Sequence, residues 1–518
     1  MFQKILYYYS FFFLDKEQTK FILQNNNKIK IKSKITQFKY KKKILVQIDN
    51  KNFNLLLIKL LKYKFLKKKK FTGIYTRSLN TFNNIFFLSE IIYTIKNKIF
   101  NYLLFNKWSN IYSSIGINCE YNVNNIKKNS LDIDQIVNNI FACLKDKKSV
   151  LNIKYKNILI GDLIYDSFIR YGKKPTLDIR SIFLKIIIKK SIEVLEYCFL
   201  NLKSYEIEKY YTSYSSYINH GLIVRYLIKQ GIPVISSGSR HSYFKRLSPK
   251  DNKHIENFIS FKKEYDKLRN KKKKILEAHK LLKKKIYGRK ELSSNYLNNI
   301  SYKNNKLDDK RIEHLDGVIF LHDFFDSCHD YDGLIFEDFY EWTLFSLNTI
   351  KEYNLKIGIK PHPNNINESI KIIKILKNKF KDLIWIDDRI SNLKILKYKN
   401  IKFGVSATGS ILYELAFFSK MGISAGYSPT ISFDISLYPK NKFQYKNYLI
   451  NSNKYAEIYN ISYLEACKIY YMYFLHNIKK ENKYFIKSNL LNFDIKPYQK
   501  LNFYDNKINK IINDEKNI

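Results

Sequence analysis

Glycine, proline and cysteine are all scarce in this chain. Its 518 residues include 15 Gly, 8 Pro and 5 Cys. So few glycines and prolines argue against a fibrous or disordered protein, and a hydrophobic content of 45% is enough to bury two substantial cores. The cysteines are odd in number, scattered and never spaced C-x-x-C, so the sequence predicts neither a disulfide framework nor a structural zinc site. We expect a globular protein of the reducing cytoplasm.

Long hydrophobic runs and the common cofactor signatures are also missing. The apolar run at residues 5–14 is shorter than the ~20 residues of a membrane-spanning helix and lacks a small-residue cleavage site. The sequence contains no G-x-x-x-x-G-K-[ST], G-x-G-x-x-G or G-x-S-x-G pattern. Their absence disfavours a P-loop NTPase, a standard dinucleotide enzyme and an α/β-hydrolase.

Positive charge is what the chain has in excess. It carries 92 Lys and Arg against 46 Asp and Glu, a formal net charge of +46. Such a field attracts anionic ligands, nucleic acid or an anionic membrane face. The heavy use of Lys, Asn, Ile, Tyr and Phe together is also typical of an AT-rich genome, and we interpret the charge mainly in that way. Charge alone therefore predicts no partner.

Short apolar runs alternate with longer helical patterns in the second half of the chain. Strand-like runs lie at residues 357–359, 383–386, 403–406 and 423–426. This rhythm is typical of β-α-β units around a buried parallel sheet. The first half shows a similar but less regular pattern, so we predict an α/β fold.

The same patterns predict an organisation in five segments. The charge of the third, lysine-rich segment is interpreted as a solvated helical face, with a membrane-facing or acceptor-facing patch as the alternative. The segments are a lead-in (1–42), a first α/β domain (43–244), a basic helical insert or linker (245–314), a second α/β domain (315–450), and C-terminal helices and tail (451–518).

Two polar turns follow strands of the second domain. Lys360-Pro361-His362-Pro363 places an imidazole in a rigid turn, where it can donate to a phosphate or act as an acid. The later turn at residues 406–410 contains Ser406, Thr408, Gly409 and Ser410 and precedes a helix. Because polar turns at the carboxyl ends of parallel strands line the ligand crevice, both turns are candidate phosphate-binding elements. A structural histidine and a simple helix cap are the alternatives.

Two further groups of residues in the second domain are candidates for the same site. Glu414 lies one helical turn after Ser410, in reach of a ribose hydroxyl beside the phosphate. The segment H-D-F-F-D-S-C-H-D-Y-D-G, with His322, Asp323 and Asp326, fits no structural zinc pattern, and we predict a loop that lines the cleft rather than a metal site.

The first domain offers carboxylates on one helical face. Asp162, Asp166 and Arg170 are spaced i, i+4 and i+8, so a helix presents all three together. One of the two carboxylates is a candidate general base, and an Asp–Arg surface pair is the equal alternative.

Taken together, K-P-H-P and the later S-x-T-G-S-x-x-x-E-x-x-x-x-x-K resemble bacterial capsule and surface-polysaccharide glycosyltransferases of the GT-B type, a group that includes the Kdo transferases. The segments I-G-D-L-I-Y-D-S-F-I-R, H-G-L-I-V-R-Y-L-I-K-Q-G-I-P-V, which contains His220, and F-L-H-D-F-F-D-S are also similar to that group. The likeness covers residues 150–245 and 315–430.

The resemblance implies two Rossmann-like domains that face a cleft. It implies donor contacts from Lys360, His362 and residues 406–410, with Glu414 on the ribose, and it assigns the base to Asp162 or Asp166. Arg170, His220, His322, Asp323 and Asp326 are expected on the acceptor side or in the cleft. The implied reaction is inverting, metal-independent sugar transfer from a nucleotide sugar to a glycan or lipid-linked glycan, with no cofactor and with peripheral contact at the inner membrane.

Two other functions remain open at this point. An alditol-phosphate transferase of the teichoic-acid type uses similar phosphate-binding turns. A basic, non-enzymatic nucleic-acid-binding protein is compatible with the charge and the aromatic content. The basic residues are spread along the whole chain and no nucleic-acid motif is present, so no specific nucleic acid is expected.

Overall fold

The computed structural model describes ten parts of the chain, and its contacts group them into two compact units. The first unit holds the described residues up to His254 except 173–177, and the second holds residues 173–177 and those from Ile255 onward. The described parts are residues 43–48, 70–75, 109–113, 117–121, 132–203, 206–212, 214–236, 245–288, 302 and 307–476.

The first unit is built on a six-stranded sheet in the order β3-β2-β1-β6-β7-β8. All neighbours are parallel except β7 and β8. A separate antiparallel hairpin pairs β4 with β5. The strands are β1 (Lys43–Ile48), β2 (Lys70–Tyr75), β3 (Asn118–Tyr121), β4 (Lys154–Tyr155), β5 (Ile158–Leu159), β6 (Ile207–Thr212), β7 (Val234–Ser236) and β8 (Lys245–Leu247).

Helices accompany this sheet, and several begin at a side-chain cap. Asp132 accepts a hydrogen bond from the Gln135 amide, and Asp146 forms a capping box with Ser149. Helix α3 packs against α2, α4 and α5. The helices are α1 (Ile133–Ala142), α2 (Lys147–Leu151), α3 (Gly161–Gly172), α4 (Ile182–Tyr197, continued by a π-turn Cys198–Leu202) and α5 (Tyr217–Lys229).

The second unit has a five-stranded, fully parallel sheet in the order β10-β9-β11-β12-β13. Its four longer strands are buried along their whole length, which is why they read as continuous apolar runs. The strands are β9 (Gly317–Phe320), β10 (Ile357–Lys360), β11 (Phe403–Ser406), β12 (Met421–Ser424) and β13 (Ser436–Leu437).

Nine helices are described in this second unit. Ser391 and Asn441 cap two of them by accepting hydrogen bonds from the Leu393 and Gln444 amides. The helices are α6 (Phe261–Asp266), α7 (Lys271–Ile286), α8 (Phe339–Glu352), α9 (Asn367–Lys379), α10 (Asn392–Lys397), α11 (Ile411–Phe417), α12 (Lys442–Ile450), α13 (Ser452–Ile458) and α14 (Tyr463–Tyr470, followed by a π-turn Tyr471–His476).

Both sheets have the Rossmann strand order. Counted in chain order, the main strands of the first unit run 3-2-1-4-5-6. In the second unit a single parallel bridge between Ile359 and Trp385 takes the place of the third strand beside β10, and the same order results. The predicted α/β class with two Rossmann-like domains is confirmed.

Several local predictions differ from the structure in detail. The run at residues 383–386 makes only the Trp385 bridge and not a strand. Strand β12 ends at Ser424, two residues before the predicted end. Helix α5 begins at Tyr217, so His220 lies within this helix. The changeover between the compact units at His254–Ile255 lies beyond the predicted boundary after residue 244, and the five segments stay a prediction.

Parts of the prediction lie outside the described residues. These are the lead-in of residues 1–42 and the tail beyond His476. Among the helices that the structure describes, none combines the length and the hydrophobicity needed to cross a membrane.

Candidate functional site

The order of the second sheet reverses between β9 and β11, and polar residues gather at that point. In open α/β sheets ligands bind at the carboxyl ends of the strands where the order reverses. His322 follows β9 by two residues, and Ser406 is the last residue of β11. The His322 Nε2 atom lies 3.1 Å from the Ser406 hydroxyl and 3.3 Å from the Thr408 amide nitrogen. Two loops far apart in sequence therefore meet at one imidazole.

The hydrogen bonds define the protonation of this imidazole. Because the Thr408 N–H donates to Nε2, that nitrogen is an acceptor, and the Ser406 hydroxyl donates to it as well. The Gly409 N–H donates to the Ser406 Oγ at 3.2 Å. Desolvation is the main cause that lowers the pKa of His322 to about 3, with a smaller electrostatic effect of His362 in the same direction and an opposing one of Asp326. His322 is therefore neutral at physiological pH.

Aromatic rings hold His322 in place. Its ring stacks on Phe339 with centroids 4.5 Å apart and meets the edge of Trp342 at 6.1 Å. The residue as a whole is only partly buried. The sequence analysis placed His322 in the cleft loop, whereas the structure brings it into direct contact with the 406–410 turn.

The K-P-H-P turn follows β10, the strand next to β9. The Asn364 N–H donates to the His362 Nδ1 at 3.1 Å, which leaves the proton of the neutral ring on Nε2. Lys360 is buried, donates to the Asp388 carbonyl at 3.0 Å, and has its pKa lowered to about 8 by desolvation.

Thr408 carries a buried hydroxyl that the fold leaves unused. The residue is 3% exposed, and among the described residues no hydrogen-bond partner lies near its Oγ1. A buried polar atom without a partner costs about 1–3 kcal/mol, so such atoms are rare unless something else binds them. The next residue, Gly409, has little room for a side chain, because a Cβ there would lie 2.6 Å from the Ser406 Oγ.

Helix α11 after this turn is short, and its first residues do not use side-chain caps. Ser410 is at the N-cap position without a capping hydrogen bond, and its hydroxyl instead donates to the Glu414 Oε1 at 3.2 Å. The predicted one-turn relation of these two residues is thus present in the structure. The hydroxyls of Thr408 and Ser410 therefore do not cap the helix, which was the structural alternative for these two residues.

Both carboxylate oxygens of Glu414 are engaged inside the unit. The Tyr302 hydroxyl donates to Oε2 at 2.6 Å, and the Lys285 ammonium lies 2.8 Å from Oε1. Burial and the charge of Glu414 raise the pKa of Tyr302 well above its usual value. Lys285 and Tyr302 were missed by the sequence analysis, because a lysine at the end of a lysine-rich helix looks like any solvated one. The ribose contact of Glu414 stays a prediction.

The two aspartates of the predicted cleft loop differ in role. Asp323 accepts hydrogen bonds from the Phe325 and Ile366 amides at 2.8 and 2.9 Å and from the Ser369 hydroxyl at 3.1 Å. It therefore ties the loop after β9 to the start of α9, which has no cap of its own. Asp326 accepts from the Ser327 amide and acts on His322 through its charge.

The first unit places its candidate residues on helix α3, as predicted. Asp162 accepts two hydrogen bonds from Arg225 of α5, one of them 2.5 Å long. Asp166 is buried, and Arg170 is in the last turn. Arg225 was not among the predicted residues, and nothing near Asp162 in sequence indicates it. The choice between Asp162 and Asp166 as base stays a prediction.

His220 lies at the corresponding reversal point of the first sheet, between β1 and β6. Its Nδ1 is 2.5 Å from the Gln47 amide nitrogen, and the Gln47 Oε1 accepts from the Thr212 hydroxyl at 2.6 Å. The edge of the Tyr214 ring meets the imidazole at a centroid distance of 5.6 Å. These side chains form a hydrogen-bonded chain from β6 through β1 to α5.

Comparison with known proteins adds little to this geometry. No family model matches the chain, and no curated protein matches it. Among solved structures, the UDP-GlcNAc 2-epimerase of Neisseria meningitidis bound to UDP-GlcNAc aligns at 11% identity, covering 83% of this chain and 98% of the epimerase, with a TM-score of 0.22. The wall teichoic acid polymerase TagF aligns at 9% identity, covering 97% of this chain and 99% of TagF, with a TM-score of 0.22.

TM-scores this low carry no argument about function. The fold class accordingly rests on the strand order of the two sheets.

Proposed function

We propose that the second unit binds the phosphates of a nucleotide-linked donor, and that the chain is a glycosyltransferase that extends a surface glycan. The observation that carries this proposal is the buried Thr408 hydroxyl at the reversal point between β9 and β11. A hydroxyl without a partner, in the place where α/β sheets bind ligands, is a donor available to a phosphate oxygen.

Hydrogen-bond donors at this point suit a leaving phosphate. The Nε2–H of neutral His362 and the hydroxyl of Thr408 are the proposed donors, and the neutral state of His322 fixes the direction of the Ser406 and Thr408 bonds. Donors held in position before the reaction stabilise charge that develops in the transition state. We propose an inverting, metal-independent displacement in which these donors act on the departing phosphate.

The acceptor hydroxyl must lose its proton as the donor bond breaks. We assign the base to Asp162 or Asp166 of α3, and a correctly placed base typically contributes about 10²–10⁴-fold. Arg170 and His220 are proposed acceptor-side residues. The acceptor is a glycan or a lipid-linked glycan.

An alditol-phosphate transferase is supported by the same observation. The Thr408 hydroxyl and His362 would recognise a phosphate, whichever group is attached to it. A CDP-linked alditol is therefore the competing donor class.

Calorimetric titration with CMP-, UDP-, GDP- and CDP-linked sugars and alditols tests both functions. We expect one class to bind and to be turned over when an acceptor is supplied. Thr408→Val, which removes only the hydroxyl, should weaken that binding at least about tenfold, as expected for a hydrogen bond to a charged group.

Thr349→Val is the matched control. Thr349 is also buried, but its hydroxyl donates to the Phe345 carbonyl within α8. This variant should bind the donor like the wild type. If no nucleotide-linked donor binds, or if Thr408→Val binds as tightly as Thr349→Val, the proposed function is wrong.

A further inference from the structure

Helix α7 (Lys271–Ile286) carries eight lysines and a single glutamate in sixteen residues. Its inner stripe, Ala278, Leu282 and Ile286, is fully buried, and the helix packs against α14 and the π-turn that follows it. The helix is thus anchored by an apolar stripe of four-residue spacing.

Three of its lysines are used within the unit. Lys285 pairs with Glu414, while Lys271 and Lys274 lie over the rings of Tyr265 and Tyr471 at 5.7 and 6.0 Å. These lysines have a structural explanation, because their charges are balanced by a carboxylate or by aromatic faces.

Four other lysines form an exposed row. Lys272, Lys273, Lys280 and Lys283 are exposed, and the described residues provide no acidic partner for any of them. They surround Leu276, which is 68% exposed and lies four, three, four and seven residues from them. These spacings put all five side chains on one helical face, about 16 Å long. We call this face the α7 lysine face.

We propose that the α7 lysine face docks on an anionic phospholipid surface. Four uncompensated ammonium groups are attracted to the negative headgroups of such a surface. Leu276, at the centre of the face, has an apolar partner at the boundary between headgroups and acyl chains. A nucleic-acid backbone would satisfy the lysines but would offer nothing to this leucine. The inference is independent of the nucleotide-binding site.

The test is sedimentation of the full chain with vesicles of phosphatidylcholine alone and of phosphatidylcholine with phosphatidylglycerol, at constant salt. We expect binding to the anionic vesicles only. Replacing Lys272, Lys273, Lys280 and Lys283 together by Gln should weaken this binding at least about thirtyfold. Leu276→Ser alone should weaken it about three- to tenfold.

A control with the same change in net charge separates this face from the general charge of the protein. Lys371, Lys374, Lys379 and Lys381 are exposed lysines in and just after α9 of the same unit. Their replacement by Gln should change vesicle binding by less than about threefold, because these lysines lie outside the α7 face. Glutamine has nearly the helix propensity of lysine, so thermal unfolding should be unchanged in both variants.

Any of three results would overturn the inference. The first is that the two quadruple variants lose vesicle binding equally, and the second is that neutral vesicles bind as well as anionic ones. The third is that RNA displaces the vesicles and binds more tightly through the same four lysines. Titration of the α7 variant with nucleotide-linked donors keeps the two proposals apart, since that site should be unaffected whether or not vesicles bind.

Discussion

The strand order reverses in the same way in the two sheets, but the side chains at the two reversal points differ in their hydrogen bonding. In the first unit, Thr212, Gln47 and His220 bond to one another in a chain. In the second, Ser406 and the Thr408 amide bond to His322, while the Thr408 hydroxyl has no partner within the described residues. The same topology thus produces a connected polar network in one unit, and in the other a network that leaves one hydroxyl without a partner among the described residues.

Under the proposed function, this difference explains why the phosphate binds at the second reversal point. A polar network that is already complete gains little from a ligand, whereas an incomplete one recovers a desolvation cost on binding. The comparison also shows that strand order alone does not identify a binding site. The individual donors and acceptors at the reversal point have to be followed.

The largest loss of stability should come from breaking the buried ion pair between Lys285 and Glu414 of the second unit. Lys285→Met leaves the buried carboxylate of Glu414 without its cation, and losing one partner of a buried pair costs about 3–5 kcal/mol. Urea unfolding should show this loss. Replacing both residues, Lys285→Met with Glu414→Gln, should recover much of it, and a double variant no more stable than the single one would mean that the ion pair is not the cause.

The pH dependence of stability should single out His322. Its pKa is lowered to about 3 in the fold, below the ordinary value of 6.5, so the unfolded chain binds more protons between these values. Stability from this group is complete above pH 6.5 and is lost as the pH falls, by about 1.4 kcal/mol per pH unit.

His322→Gln provides the reference for this pH measurement. The difference in unfolding free energy between wild type and variant should shrink as the pH is lowered from 7 toward 4. A difference that stays constant over that range would show that His322 is not held neutral by the fold.

Breaking the hydrogen-bonded chain of the first unit should be destabilising. Thr212→Val removes the hydroxyl that lies 2.6 Å from the Gln47 Oε1 and 2.7 Å from the Tyr214 carbonyl, so the acceptor to which it donates loses its donor. The expected loss is about 1–3 kcal/mol, measured by urea unfolding. A neutral result would mean that the two reversal points do not differ as described.

The corresponding substitution in the second unit should change the free energy of unfolding in the opposite direction and by the smallest amount. Thr408→Val removes a hydroxyl that makes no bond with the described residues, so the free energy of unfolding should stay constant or rise by up to about 1 kcal/mol. The same thermal or urea measurements used for Thr212→Val apply. A loss as large as that of Thr212→Val would show that the Thr408 hydroxyl has a structural partner.

Local sequence pattern predicted much of the fold. Strands β10 and β11 are buried runs that lie within the predicted segments or extend them by one residue, so neighbouring residues were enough to place them. The pattern was insufficient at the sheet edge, where the run around Trp385 makes one bridge only. Strand pairing at an edge depends on the neighbour as well as on the run itself.

The sequence predicted the individual turns of the candidate site but not the contacts between them. His362 and the 406–410 turn were recognised because each follows a strand directly. The contact of His322 with Ser406 and the pairing of Arg225 with Asp162 join residues 84 and 63 positions apart. No local pattern contains such contacts, since they depend on which strands lie side by side.

Residue type and spacing by themselves determined the α/β class, the buried strands and the turns in which polar groups follow them, because each of these depends on neighbours within a few residues. Only the tertiary structure decided that His322 is the centre of the second unit's polar cluster, that Glu414 is paired with Lys285, and that the Thr408 hydroxyl is left over. The reason is that the satisfaction of a buried polar atom depends on every element packed around it, and those elements come from distant parts of the chain.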